Sequence, residues 1–321
     1  MLSRFAASIA AALAWLGRHG TQGFALSIFL GLALPQFSAA ARPVLPITIF
    51  CFTTIVFMRA DLGIIAGLVR RPGKLILSCL WLVAAPVLMI GGAFLLLGRE
   101  ALDPGLLLGL AIMGAAPPIM SSPAVAILYS FEPSLIIACV ILTTIISPIV
   151  APFLVELLAG AAVPLDSWVL AFRLLLFVGG GMAVAAALRV WLGVARIKGM
   201  KANLDGFGVL MYFIFAIAAM DGVTQAAIDD PKRVLLFLAC VFAVSGFGLL
   251  TAYFVLRRLP ASERFMIGYG SGQRNMGMIV AALGAGVPPS TFLFFALAQF
   301  PIYLQPWLLR GLAARIRRRE A

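Results

Sequence analysis

Apolar residues run through this chain in long blocks separated by short segments that collect nearly all of its arginines and lysines. A membrane-crossing helix needs about 20 consecutive apolar residues, and the blocks predict ten such spans. They fall near residues 20–38, 43–58, 73–97, 104–131, 134–158, 167–192, 206–226, 233–256, 262–285 and 289–311. The runs are continuous, unlike the alternating strands of a membrane barrel. The expected fold class is therefore an all-α polytopic membrane protein. Two blocks carry helix breakers: Pro117, Pro118 and Pro123 in 104–131, and Gly268, Gly270, Gly272 and Gly277 in 262–285. Proline removes a backbone donor and glycine loosens the helix, so both blocks predict interrupted helices.

The interruptions recur in register. Residues 1–160 hold an N-terminal segment and five spans, and residues 161–321 hold five more and a basic tail. An odd number of crossings turns the second set over, giving two inverted repeats whose fourth members are both broken. Paired broken helices at corresponding positions point to a secondary transporter with a binding site near the bilayer midplane.

Composition agrees. The chain is 63% hydrophobic and 11% charged, against about 25% charged in soluble domains. Its net charge of +12 would suggest nucleic acid in a soluble protein, but the charges are distributed by side. With a cytoplasmic N-terminus, Arg42, Arg99, Lys232 and Arg233 lie outside, and Arg173 and Arg274 lie within spans. The other eighteen of the 24 Lys and Arg residues lie inside. That bias sets topology and predicts a multi-pass plasma (inner) membrane protein with both termini cytoplasmic. The tail Arg315–Arg319 is expected to anchor topology and touch anionic lipid; no nucleic acid and no obligate protein partner are implied. Arg4 and the apolar stretch to Leu16 mimic a signal peptide. Cleavage would reverse the charge pattern, so a short interfacial helix is expected instead. Cys51, Cys79, Cys139 and Cys240 sit in apolar runs without metal-ligand spacing and read as buried free thiols. No Ser/His/Asp set or HExxH stretch supports an enzyme, and no metal or cofactor is expected from the residues.

Chemistry concentrates at the two breaks. In Gly114–Pro123, carbonyls ahead of the prolines lose their helical donors, and Ser121 and Ser122 stand where a half-helix begins, with serine a good N-cap. The alternative is an ordinary proline kink. In Gly268–Gly277, Ser271, Gly272, Gln273, Arg274 and Asn275 lie in a row, and an unwound crossing lets consecutive side chains reach both sides. An Arg at membrane depth costs about 2.5–3.5 kcal/mol on insertion scales, which favours a site residue. A structural Arg paired with carbonyls is the other reading. Gln299 and Gln305 in the last block either line the cavity or bond between helices. Thr143, Thr144 and Ser147 before Pro148 are expected to bond back to their own helix.

Pro117 through Ser121-Ser122, Ser147-Pro148-Ile149-Val150-Ala151-Pro152, and Gly272-Gln273-Arg274-Asn275-Met276-Gly277-Met278 together resemble the bile acid:sodium symporter family. The resemblance covers most of the chain. It implies crossing fourth and ninth helices, a panel of spans 1, 2, 6 and 7, a core of spans 3–5 and 8–10, and organic anions as substrates. Sodium-coupled members show Glu-x-Gly-x-Gln-Asn where this chain has Gly270-Ser271-Gly272-Gln273-Arg274-Asn275. The Glu position is Gly270 and the Gln position is Arg274. The family's Ser-Asn pair is Ser121-Ser122, and its fifth-helix hydroxyl ligands fall near Leu135–Ile136 and Cys139–Val140. A hard cation needs oxygen donors, so the resemblance implies a small-organic-anion transporter in which the Arg274 guanidinium stands in for sodium. A sodium-dependent symporter with a remodelled site and a non-transporting sensor or assembly subunit are the alternatives.

Overall fold

The computed structural model describes residues 11–16, 28–70, 72–160 and 165–320. Most of the expected N-terminal interfacial helix and the beginning of the first span lie outside these residues, as does His19; a helix covers 11–16. Among the described residues the chain is helical, with no strand and a single isolated bridge. The helices in order are α1 (Pro35–Ala41), α2 (Leu45–Arg59), α3 (Leu62–Val69), α4 (Pro72–Leu97), α5 (Pro104–Ala115), α6 (Ser122–Leu128) and α7 (Ser134–Ala159). They continue as α8 (Ser167–Leu192), α9 (Val194–Gly199), α10 (Lys201–Ala219), α11 (Val223–Asp229), α12 (Pro231–Val255), α13 (Ala261–Gly272) and α14 (Met276–Leu283). The chain closes with α15 (Pro289–Leu297), α16 (Gln299–Leu308) and α17 (Arg310–Glu320).

Among the described residues, six stretches are long and apolar enough to cross a membrane: Pro35–Arg59, Pro72–Leu97, Ser134–Ala159, Ser167–Leu192, Lys201–Asp229 and Pro231–Val255. A seventh is the pair Pro289–Leu308 and Arg310–Glu320, if its 48° bend lies within one span. This is an all-α membrane protein. The pairs α5/α6 and α13/α14 are too short individually to count, because the prolines and glycines foreseen in the sequence end α5 at Ala115 and α13 at Gly272.

The chain divides into two compact units, each drawing on both halves of the sequence. One comprises residues 1–59 and 177–230, the other 60–176 and 231–321. In the first, α2 packs on α10 through a Phe52–Tyr212 stack with ring centroids 4.0 Å apart. Arg59 pairs with Asp205 at 2.5 Å and Arg42 with Asp221 at 2.8 Å. In the second, α12 and α13 approach so closely that a Cβ on Gly272 would lie 2.4 Å from the Ser245 carbonyl oxygen. Lys74 on α4 pairs with Glu263 on α13, and Arg233 on α12 pairs with Asp103, which also caps α5 by accepting from the Gly105 and Leu106 amides.

Back-bonding is realised by two of the three hydroxyls. Pro148 leaves the Thr144 carbonyl without its helical donor, and Ser147 Oγ donates to it at 2.7 Å. Thr143 Oγ1 donates to Cys139 O at 2.6 Å, whereas Thr144 Oγ1 is buried without a partner among the described residues. All four cysteines are free thiols, but only Cys139 is fully buried; Cys51, Cys79 and Cys240 are partly exposed on their apolar helices.

Candidate functional site

The two interrupted segments lie against each other inside the second unit. Ile119 N donates to Gln273 O and Asn275 N donates to Pro117 O, each at 2.8 Å. Between these bonds Pro118 and Arg274 face each other as an antiparallel pair. Such pairs alternate between hydrogen-bonded and non-bonded positions, and Pro118 occupies a non-bonded one. Its missing N–H therefore costs nothing at that position. The pairing satisfies backbone groups that unwinding would leave bare in an apolar interior, where each unpaired group costs several kcal/mol.

Arg274 is 3% exposed, and every described partner of its guanidinium is a backbone carbonyl. Nη1 donates to Leu82 O at 2.8 Å and to Gly270 O at 3.3 Å, Nε to Met113 O at 3.3 Å, and Nη2 to Gly114 O at 3.4 Å. Three of these acceptors share one origin. A helical carbonyl bonds to the amide four residues on, and four residues after Leu82, Met113 and Gly114 stand Pro86, Pro117 and Pro118. None of the three prolines has an N–H to give. The last regular bond of α5 runs from Ala116 N to Ile112 O, and the next two carbonyls turn to the guanidinium. One planar fork thus replaces three missing backbone donors on two helices, a task suited to the fixed N–H geometry of Arg. Of the two readings weighed from the sequence, the Arg paired with carbonyls is the one these bonds display. The side chain is bound by carbonyls, and its positive charge is answered by dipoles, with no carboxylate among its described partners.

The neighbours of Arg274 divide as an unwound segment permits. Gln273, 1% exposed, sends Nε2 to Gln305 Oε1 on α16 at 2.5 Å. Asn275 is partly exposed at the start of α14, and its side chain makes no cap there. Gly272 sits where α13 touches α12, and Ser245 Oγ donates to its carbonyl at 3.2 Å. Ser271 is buried and donates to Ile267 O of its own helix at 2.9 Å. The serines after the first break do not cap as expected: neither Ser121 nor Ser122 makes a side-chain cap bond to α6. The reason is local: a cap side chain accepts from the second or third helical amide, the second position here is Pro123, which has no N–H, and Ser121 has helical dihedrals. Ser122 Oγ is buried with no partner among the described residues, and Ser121 is partly exposed.

Gln299 is buried and donates from Nε2 to Phe295 O at 3.0 Å, one turn back on the chain. Of the two glutamines left open by the sequence, Gln305 is the one that reaches the crossing. The contribution of Leu82 was missed altogether. Its signal was present: Pro86 interrupts the third apolar block and marks a carbonyl in need of a donor. Replacing Gln305 with Leu should cost about 1–3 kcal/mol, the penalty for a buried amide left unpaired. Thermal unfolding of purified protein would measure it, and Gln273→Leu in the same background should restore part of the loss.

No known protein-family model matches this chain, and no curated protein matches it either.

Proposed function

We propose that this protein is a secondary transporter for a small organic anion such as a carboxylate or sulfonate, of the bile acid:sodium symporter type but without sodium coupling. The observation that carries the proposal is a buried cation, whose described partners are all carbonyl dipoles, where two interrupted helices meet. A fixed positive charge in a low-dielectric interior attracts an anion. Gln273 and Asn275 adjoin Arg274 in the chain, Ser121 and Ser122 follow its bridge partner Pro118 by three and four residues, and all four carry groups able to hydrogen-bond a carboxylate or sulfonate. In this reading α5/α6 and α13/α14 are the broken fourth and ninth members of ten spans in two inverted repeats, and transport proceeds by alternating exposure of the crossing.

Further observations support this reading. Four described ion pairs, Arg42–Asp221, Arg59–Asp205, Lys74–Glu263 and Arg233–Asp103, each join segments distant in the chain at span ends that the ten-span reading puts on the same membrane side. The two compact units group spans 1, 2 and 7 apart from spans 3–5 and 8–10, as a panel and core would be grouped. The sixth span contributes its larger part, from Phe177, to the first of them.

The residues do not suit sodium. The carbonyls of Leu82, Met113, Gly114 and Gly270 are turned to the guanidinium, and Leu135, Ile136, Cys139 and Val140 offer apolar or thiol side chains. A second cation about 4 Å from Arg274 would be repelled by about 4 kcal/mol at an effective dielectric of 20. The test is uptake of labelled monocarboxylates and sulfonates into proteoliposomes at clamped membrane potential. The expected result is saturable uptake, equal in sodium and in potassium. Uptake that climbs steeply with a sodium gradient would overturn the uncoupled reading, and binding without flux would replace the transporter with a sensor.

A further inference from the structure

The strongest charge feature outside the crossing is α17, Arg310–Glu320, which follows the 48° bend at the end of the last apolar segment. It is fixed in place from one side. Ala313 and Ile316 are buried at 1% and 3% exposure, and Glu320 Oε1 accepts from Ser262 N in the first turn of α13. At 100° per residue the five arginines fan over the rest of the helix surface. Arg315 and Arg318 lie on the crest, Arg310 and Arg317 on one flank, and Arg319 on the other. All five are exposed, and none pairs with an acid among the described residues. The turn leading to Ser262 adds exposed Arg257 and Arg258.

Apolar groups border this charge on the side of the bend. Trp307 is 66% exposed and Leu308 56%, both in the last turn of α16, and Leu312 is 44% exposed in the first turn of α17. Indole rings collect at the level of lipid headgroups. A helix with unpaired guanidiniums beside exposed Trp and Leu is the pattern of an interfacial element on an anionic surface. A nucleic acid would answer the charge but leave Trp307, Leu308 and Leu312 in water.

We propose that α17, with Arg257 and Arg258, is a docking surface for anionic phospholipid headgroups, seated by Glu320 on the first turn of the helix that leads to the crossing. The test uses the full chain in nanodiscs of phosphatidylcholine containing about one-third phosphatidylglycerol, a content at which juxtamembrane basic residues gain measurable attraction. One lipid class at a time carries brominated acyl chains, which quench nearby indole fluorescence. The Trp307 component is the difference from Trp307→Phe protein. Brominated phosphatidylglycerol should quench it at least about twofold more, per mole of lipid, than brominated phosphatidylcholine, and high salt should weaken the preference by screening. The Arg315→Gln/Arg318→Gln/Arg319→Gln variant, which leaves Ala313, Ile316 and Glu320 intact, should lose the preference, and the corresponding triple Lys variant should keep it. Equal quenching by both lipids in the wild-type protein would overturn the proposal, as would a preference that survives the triple Gln change. Wild-type protein that binds a single-stranded oligonucleotide while showing no lipid preference would assign the surface to nucleic acid instead.

Discussion

Arg274→Ala is expected to lower stability by about 3 kcal/mol and to abolish anion uptake. The stability loss follows from the three proline-orphaned carbonyls, each costing about 1–3 kcal/mol when buried and unpaired. Part of that loss is offset because removing the guanidinium also removes the cost of burying its charge. Thermal unfolding in detergent, paired with uptake in proteoliposomes, separates the two roles. Arg274→Lys keeps the charge but not the fork, and one ammonium cannot span the carbonyls of Leu82, Met113 and Gly114 together. It should retain part of the uptake and little of the stability. Free guanidinium at millimolar concentration should restore stability to Arg274→Ala and not to the wild-type protein.

The assignment can be checked at a single carbonyl. Pro86→Ala returns an amide donor to Leu82 O, so Arg274→Ala should cost about 1 kcal/mol less in that background, a coupling typical of residues sharing one partner. Independent, additive effects would show that Leu82 does not depend on Arg274. A variant lacking Arg274 that is more stable yet inactive would show that the charge is kept for the anion alone.

Gly272→Ala is the second large effect. The new Cβ would lie 2.4 Å from Ser245 O and 2.8 Å from Ser245 Cα. Both are backbone atoms, so no side-chain rotation relieves the clash and α12 must move away from α13. Overpacking of this kind costs about 1–3 kcal/mol, and because the crossing begins at the next residue, uptake should fall as well. Gly248→Ala meets the same contact from the opposite side, with Gly272 N at 2.7 Å. The double variant should therefore cost less than the sum, since one separation accommodates both methyl groups. Gly246 on the same helix has open space around its Cβ position. Gly246→Ala should be neutral or slightly stabilising through helix propensity, and a loss comparable to that of Gly272→Ala would count against the close-contact account.

The long apolar helices and the ends of α5 and α13 were legible in the sequence, because each depends on local properties. A run of about 20 apolar residues can bury its backbone polar groups in lipid only as a helix, and the adjacent prolines at 117 and 118 deny donors to two successive carbonyls. Arg274 was legible as costly, and its neighbours as polar. What those side chains contact was not. Ser121 and Ser122 looked like caps, yet Pro123 offers no amide at the second helical position and neither side chain bonds to α6. Gln299 and Gln305 were equivalent as sequence, and only the path of α16 brings Gln305 to Gln273.

Pro86 shows the boundary between the two kinds of information. The sequence by itself determined that Leu82, Met113 and Gly114 would each lack a helical donor, because proline has no N–H whatever the fold around it. It likewise determined that a cation stood in an apolar segment without a nearby acid. Only the tertiary structure decided that these needs answer each other. The guanidinium and the carbonyls lie more than 150 residues apart in the chain, and a hydrogen bond requires them within about 3.5 Å. That distance is set by the packing of α4 and α5 on α13, and sequence spacing alone does not contain it.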